Sequence, residues 1–308
     1  MTDILLATYN GGRFLREQLD SLLTSIADDM RVLISDDGST DDTPAILSEY
    51  AKKHPDTIHL ISGPAHEKSA KGNFISLLHA SCADYVFFCD QDDVWETAKI
   101  QKSLNRIKQE EVRFGAGCPL LLHTDLAVVD AELAPLSPSF WRYQNIDPTP
   151  SLSRLLVQNS VTGCTMLINR PLITLLKKAP ASDMLMHDWW AALIAASMGH
   201  IVALNESLIR YRQHGGNQLG ASGFDPIRDM KRAADGDGGY RQRVLDTMAQ
   251  AKAFYTAYEG LLPEHAWHVI YRYAHLPMHK KPLRMLMLLG YGYLKKGFLR
   301  QLGQLYYI

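Results

Sequence analysis

The stretch Asp90-Gln91-Asp92-Asp93 sets three carboxylates directly after the apolar run Tyr85–Cys89. Carboxylates gathered at a strand end repel one another on poorly solvated ground, so their presence there asks for a cation. Oxygen donors of this kind suit Mg2+ or Mn2+. Capping of a helix that opens near Trp95 would account for Asp92 or Asp93, and it leaves Asp90 unexplained. A second acidic group, Asp36-Asp37-Gly38-Ser39, follows Val32-Leu33-Ile34. It reads either as a turn into a helix or as acceptors for a base N–H and ribose hydroxyls. The loop lacks the ligand spacing and the twelfth-position Glu of an EF-hand. A third polar group, Thr8-Tyr9-Asn10-Gly11-Gly12, follows Ile4–Ala7.

The elements that must position these groups alternate. Ile4–Ala7 predicts a strand, and Phe14, Leu15, Leu19, Leu22, Leu23 and Ile26 recur at the three-and-four spacing of an amphipathic helix. Val32–Ile34 predicts a second strand, and Thr43-Pro44 opens a helix through about Lys53. Ile58–Ile61 and Tyr85–Cys89 read as strands, Phe74–Ala80 and Glu96–Lys108 as helices. Four βα units in succession imply a parallel sheet with helices on both faces, whose ligands sit beyond the carboxyl ends of the strands. All three polar groups fall there and converge on one site.

Further along, Leu120–Val129 and Gly163–Ile168 read as strands and Asp188–Met198 as a helix. Gly-rich stretches at Gly215–Gly223 and Gly236–Gly239 bracket an expected boundary, and Val244, Met248, Ala251, Tyr255, Tyr258 and Leu262 share a face of a helix beyond it. The expected division is 1–222, itself in two halves that meet near 110, and a helical extension over 223–308.

The chain has 308 residues, of which 46% are hydrophobic and 21% charged, enough to bury a sizeable core. Its 32 Lys and Arg against 33 Asp and Glu leave a formal charge of -1, without the basic surplus that nucleic acid demands. Cys82, Cys89, Cys118 and Cys164 form no CxxC pair and read as free thiols of a reducing compartment. With no signal peptide and no run long enough to span a bilayer, the expected location is cytoplasmic.

Taken in order, the motifs Ala7-Thr8-Tyr9-Asn10, Ser35–Asp41, Lys71-Gly72-Asn73, Asp90-Gln91-Asp92-Asp93, His187-Asp188-Trp189-Trp190 and Tyr211–Asn217 resemble those of the family 2 glycosyltransferases over about Ile4 to Leu219. The resemblance implies a GT-A fold, an α/β Rossmann-like mixed sheet flanked by helices, here with a C-terminal helical extension. It implies that Thr8, Tyr9, Asn10, Asp36 and Asp37 line the nucleoside pocket, and that Lys71, Asn73 and Gln91 contact the donor. Asp90 and Asp92 match the family's DxD motif, with Asp92 on a divalent metal, Mn2+ or Mg2+, and Asp90 towards the ribose or the metal. His214 matches the late histidine of the metal or diphosphate site.

Asp188 occupies the position of the family's general base. Read from the residues alone, it is either a cap with core tryptophans behind it or a base beside an indole platform for a sugar. By resemblance, His187, Trp189 and Trp190 contact the acceptor, although His187 stands where many relatives have Glu. One carboxylate base with direct displacement implies inversion at the anomeric carbon. His-Asp-Trp-Trp and the Arg210–His214 segment are most similar to the rhamnosyltransferase branch, which uses dTDP-L-rhamnose. The implied activity is transfer of a hexose to a glycan acceptor, lipid-linked, in a surface polysaccharide such as O-antigen or capsule. A UDP-sugar donor (UDP-Glc, UDP-Gal or UDP-GlcNAc), a silent nucleotide-sugar-binding module and a metal-dependent phosphatase or nucleotidyltransferase are the competing readings.

Residues 280–308 carry Lys280, Lys281, Arg284, Lys295, Lys296 and Arg300, no acidic residue, and interleaved Leu, Met, Phe and Tyr. Such a segment either lies on an anionic bilayer, on the inner face of the cytoplasmic membrane, or packs its apolar face on the catalytic domain.

Overall fold

The computed structural model of the chain describes residues 1–61, 69–214 and 239–308. The first half follows the sequence pattern: β1 (Thr2–Thr8), α1 (Leu15–Leu23), β2 (Met30–Asp36), α2 (Thr43–Lys53), β3 (Ile58–Leu60), α3 (Ala70–Ala80) and β4 (Tyr85–Cys89). These strands pair in parallel in the order β3-β2-β1-β4. Being covered on both faces, β1 and β4 are almost continuously apolar rather than alternating. The exception in β1 is Asp3, fully buried, whose carboxylate accepts from Arg31 Nε and Nη2 at 3.0 and 2.9 Å and from Ser81 Oγ at 2.7 Å.

Beyond β4 the sheet becomes mixed. There follow β5 (Val94–Trp95), α4 (Lys99–Phe114), β6 (Leu120–Val129), β7 (Pro135–Ser137), α5 (Phe140–Tyr143), α6 (Leu152–Leu155), β8 (Met166–Asn169), α7 (Arg170–Leu176), α8 (His187–Met198) and β9 (His200–Arg212). The sheet continues β4-β8-β6-β9-β5, antiparallel except for β6 with β9. The helix expected over Glu96–Lys108 runs instead from Lys99 to Phe114 with Ala98 as its cap. Val94–Trp95 is spent pairing with β9, so neither Asp92 nor Asp93 caps a helix. Only Met166–Asn169 of the strand expected from Gly163 is extended, because Gly163–Thr165 forms one 3-10 turn. The boundary expected near residue 222 lies outside the described residues.

Two apolar cores flank the sheet. One contains Leu15, Leu19 and Leu22 of α1, Ile46 and Leu47 of α2, and Ile100, Leu104 and Ile107 of α4. The other contains α3, α7 and α8, and also the helices α9 (Gly239–Tyr258), α10 (Glu264–Ala274), α11 (Lys281–Gly290) and α12 (Phe298–Tyr307). Val244, Met248, Ala251 and Tyr258 form the buried face of α9, and Tyr255 and Leu262 pack partly buried at its edge, Tyr255 against Trp267 and Tyr271. At the centre, Trp190 Nε1 donates to Tyr258 Oη at 3.1 Å, which donates to Leu175 O at 3.0 Å. The helices beyond residue 239 therefore buttress α8, the helix that carries Asp188. Among the described residues no helix is long and apolar enough to cross a membrane.

Candidate active site

The polar loops at the carboxyl ends of β1, β2 and β4 are tied to one another by their own side chains. Gln91 Oε1 accepts Tyr9 N–H at 2.8 Å and Gln91 Nε2 donates to Tyr9 O at 2.9 Å, a reciprocal amide clasp between the β1 and β4 loops. That clasp requires glycine at position 11, because a Cβ there would lie 2.2 Å from Gln91 Oε1. Asn10, at a φ of 47°, receives Thr40 N–H on its Oδ1 at 2.8 Å and donates its own N–H to Ser39 Oγ at 2.7 Å. The left-handed conformation is one that Asn tolerates better than most residues. Tyr9 is 57% exposed and is left projecting from this framework.

Several expected donor contacts are structural supports. Both oxygens of Asp36 are engaged: Oδ1 accepts from Thr8 Oγ1 at 2.9 Å and Ser39 Oγ at 2.6 Å, and Oδ2 accepts Ser39 N–H at 2.9 Å. Asp36 thus builds the loop rather than facing a nucleoside, and the buried Thr8 hydroxyl lies beneath it. Asn73 Nδ2 donates to Ser35 O at 2.9 Å, and Lys71 Nζ to Met184 O at 2.9 Å, so α3 is pinned to the β2 edge and to the segment before α8. Asp37 follows this pinned turn, its N–H donating to Thr8 O at 2.9 Å.

At the β4 edge the three carboxylates part company. Asp92 and His214 meet, with Oδ2 and Nε2 2.7 Å apart. Phe14 supports the imidazole from one side, ring centroids 4.7 Å apart. Asp93 is fully buried and accepts Arg212 N–H at 3.1 Å. Asp90 lies between these and Asp188: burial, then the charges of Asp92 and Asp188, push its carboxyl up to about 7, while the Cys164 thiol favours its ionised form. The ligand atoms of Asp90, Asp93 and Cys164 fall within 4.8 Å of one another. A thiol is a soft donor, and burial raises the Cys164 thiol well above its usual range, so this trio does not fit a hard divalent cation. The oxygen and imidazole donors of Asp92 and His214 do fit Mn2+ or Mg2+, with Asp90 beside them. The rest of the last motif, Gly215-Gly216-Asn217, lies outside the described residues.

Asp188 sits in the first turn of α8, whose cap is Met186. Its Oδ1 accepts Trp189 N–H at 2.6 Å, and it also receives the Gly163 N–H and the Asn159 amide. Burial nonetheless pushes the carboxyl up to about 6, close to the pH at which a base must work. The charge of Asp188 acts on Asp90, so the expected base lies near the DxD carboxylates although the two positions are far apart in the chain.

Two of the three acceptor contacts expected beside Asp188, Trp190 and His187, are corrected by their burial. Trp190 has no exposed surface and stacks in the core near Phe254 and Tyr258. His187 is 2% exposed, sandwiched between Phe74 and Phe88 at 4.4 and 5.1 Å, and neither ring nitrogen has a partner. Burial drives it down to about 3, so it stays a neutral ring. Trp189 is half-buried and its Nε1 is committed to Leu155 O at 2.6 Å. Helix α8 is buried on nearly every side, so its sequence carries no periodic signal to separate core from site.

Two residues escaped the sequence reading. Arg212 is 2% exposed, its guanidinium 4.6 Å over Phe14, with Nε donating to Asp92 O at 2.8 Å and Nη2 to Glu17. It holds the acidic loop from beneath, and strand alternation gave no signal for it, because Arg210, two residues earlier and on the same face by period, is exposed. Lys99 is fully buried with Nζ 3.4 Å over the Trp95 ring, and burial lowers it to about 7. It sets a cation near Asp93, and nothing in the local sequence marks it as internal.

The mixed sheet, with acidic loops on the carboxyl edge of its parallel strands, has GT-A architecture. Residues 3–119 match the family described as Glycosyl transferase family 2, and the chain resembles the rhamnosyltransferase-like members of that family. It is 27% identical over 229 residues to the dTDP-rhamnosyl transferase RfbG of Shigella flexneri, covering 70% of this chain and 74% of that one. The fold is similar to TarS 1-349 of S. aureus in complex with UDP-GlcNAc, with a TM-score of 0.55 and 14% identity over 99% of this chain and 88% of that one. It is similar also to the mannosyltransferase PcManGT of Pyrobaculum calidifontis in complex with GDP-Man and Mn2+, with a TM-score of 0.56 and 16% identity over 99% and 84% of the two chains.

Proposed function

We propose that this glycosyltransferase is inverting and metal-dependent, and that it moves L-rhamnose from dTDP-L-rhamnose to a lipid-linked glycan acceptor of a surface polysaccharide. The observation that supports this reading is that the charge of the buried Asp188 acts on Asp90, two residues before the Asp92 that meets His214. The similarity to RfbG over most of both chains supports the donor.

Asp188 takes the proton of the attacking hydroxyl at its carboxylate, held by the Gly163 and Trp189 N–H groups. The hydroxyl oxygen forms its bond to the anomeric carbon as the bond to the diphosphate breaks, its electron pair leaving with the nucleoside diphosphate. A single displacement inverts the configuration. A divalent cation, which Asp92 and His214 would hold, supplies stabilisation of the negative charge that the diphosphate gains. Tyr9, exposed above the Gln91 clasp, and Asp37 are the side chains proposed for the nucleoside.

Calorimetry with dTDP, UDP and GDP and their sugars in the presence of Mn2+ tests the assignment. The thymine methyl is worth about 1 kcal/mol, so dTDP is expected to bind about fivefold tighter than dUDP, which differs from it by that methyl alone. Tighter UDP binding, with turnover of a UDP-sugar, would move the enzyme to the UDP-dependent members. Release of inorganic phosphate or pyrophosphate instead of a nucleoside diphosphate would remove it from transferases.

A further inference from the structure

Fifteen large apolar side chains of the described residues are exposed, and eight of them fall between Met278 and Tyr306. They are ordered by helix geometry. Leu283, Leu286 and Leu289 recur every three residues on α11, with Leu286 67% exposed. Phe298, Leu302 and Tyr306 recur every four on α12, with Phe298 72% and Tyr306 70% exposed. Each helix thus turns one apolar stripe inward, through Leu288 and the core around Tyr293, and a second one outward. The helices touch: Lys281 Nζ donates to Tyr306 O at 2.5 Å and lies 5.3 Å over the Tyr306 ring.

The charges divide in a matching way. Lys296 Nζ donates to Ile146 O at 2.9 Å and Arg300 Nη1 to Gln144 O at 3.2 Å, so these two cations anchor the pair to the catalytic unit. Lys280 and Lys281 remain exposed beside the apolar stripe. No Asp or Glu occurs from His265 to Ile308. A second copy of this face docked upon the first would oppose lysine to lysine with no acid in the segment to offset it. An anionic bilayer meets both requirements, taking the apolar side chains at its acyl boundary and the lysines at its phosphates.

The geometry points to α11 and α12 as a monotopic membrane-docking face that lies on the surface of an anionic phospholipid bilayer. Unlike the basic amphipathic helix expected from the sequence, it is led by the outward stripe of Leu286 and Phe298, and its cations form a rim. Its purpose is to hold the site at the surface where a lipid-linked acceptor resides, and to that extent it rests on the acceptor proposed above. Binding to vesicles requires neither donor nor turnover, so the two readings fail separately.

The test is sedimentation of the full chain with vesicles of phosphatidylcholine alone or mixed with phosphatidylglycerol. Binding is expected to the mixed vesicles, weakening with salt. Lys280→Gln is expected to weaken it about fivefold and the double change with Lys281→Gln about 25-fold. Leu286→Ser with Phe298→Ser is expected to abolish it while leaving the thermal midpoint in place, because both side chains are exposed. Phe298→Trp is expected to be quenched by brominated acyl chains. Wild-type protein that stays in the supernatant with anionic vesicles would overturn the proposal, as would binding without quenching of the tryptophan. Dimers in light scattering that the double serine variant converts to monomers would assign the face to contact between copies instead.

Discussion

His214 Nε2 and Asp92 Oδ2 stand 2.7 Å apart across 122 residues of chain, joining the loop after β4 to the end of β9. Each comes from a different βα segment, and Arg212 beneath them donates to Asp92 O, so the last strand both supplies a ligand and sets the other. Asp92→Ala and His214→Ala are expected to lower Mn2+-dependent affinity for dTDP by at least about tenfold, measured by calorimetry, with metal-free affinity unaltered. Unchanged Mn2+-dependent affinity in both variants would remove the pair from the metal site.

Asp188→Asn is expected to lower kcat by about 10²–10⁴ and to leave donor affinity in place. The wild-type rate should fall as pH drops through about 6, because burial holds the carboxyl there and only its ionised form accepts a proton. The stability consequence has the opposite sense. The folded chain holds this proton more tightly than the unfolded one, so ionising Asp188 costs stability as pH rises from the ordinary 3.8 through about 6. Asp188→Asn should therefore melt higher than wild type at pH 8 and equally at pH 3. A rate profile without an acid limb near 6 would count against Asp188 as the base.

The Tyr9–Gln91 clasp predicts a coupled pair. Gly11→Ala places a methyl 2.2 Å from Gln91 Oε1 and is expected to weaken dTDP binding and lower the melting temperature. In a Gln91→Ala background the same change should cost far less, leaving a coupling of at least about 1 kcal/mol in a double-mutant cycle. Additive effects would mean that the two loops are not joined through this contact.

His187 provides a test of core against site. His187→Phe keeps the stack with Phe74 and Phe88 and removes two ring nitrogens without partners, so at pH 7 it is expected to be at least as stable as wild type. In the folded chain the ring stays neutral down to about 3, whereas the unfolded one takes a proton below the ordinary 6.5. Wild type therefore loses stability as pH falls through that window, and the variant should lose less. Chemical denaturation at pH 7 and pH 5 measures both. A tenfold rise in acceptor KM would restore His187 to the acceptor site.

The βα alternation and the polar groups after each strand were readable because strands buried on both faces leave short apolar runs, and the motifs follow at their carboxyl ends. Asp90, Asp92, Asp188 and His214 were singled out from residue type and motif order, and the roles given to them remain proposals. Their neighbours were not. Trp190 and His187 belong to a helix buried all round, where no polar face marks the inside, and Asp36 has its oxygens consumed by Thr8 and Ser39, partners supplied by the fold. The mixed sheet was implied by the resemblance and two of its later strands were readable, but their pairing was not, since that of β4 with β8 depends on a contact between residues 85 and 169.

By itself the sequence determined the first four parallel strands, the polar loops at their edge and the family, because those rest on local hydrophobic pattern and on motif order. Only the tertiary structure decided the surroundings of each carboxylate. Asp90, Asp92 and Asp93 are neighbours in the chain, yet one feels the charge of Asp188, one meets an imidazole and one is buried on a backbone N–H. It decided also the outward turn of Leu286 and Phe298 and the inward turn of Lys296 and Arg300. A cation's direction depends on which carbonyls the fold brings within reach, and here they are those of Ile146 and Gln144, more than a hundred residues away in the chain.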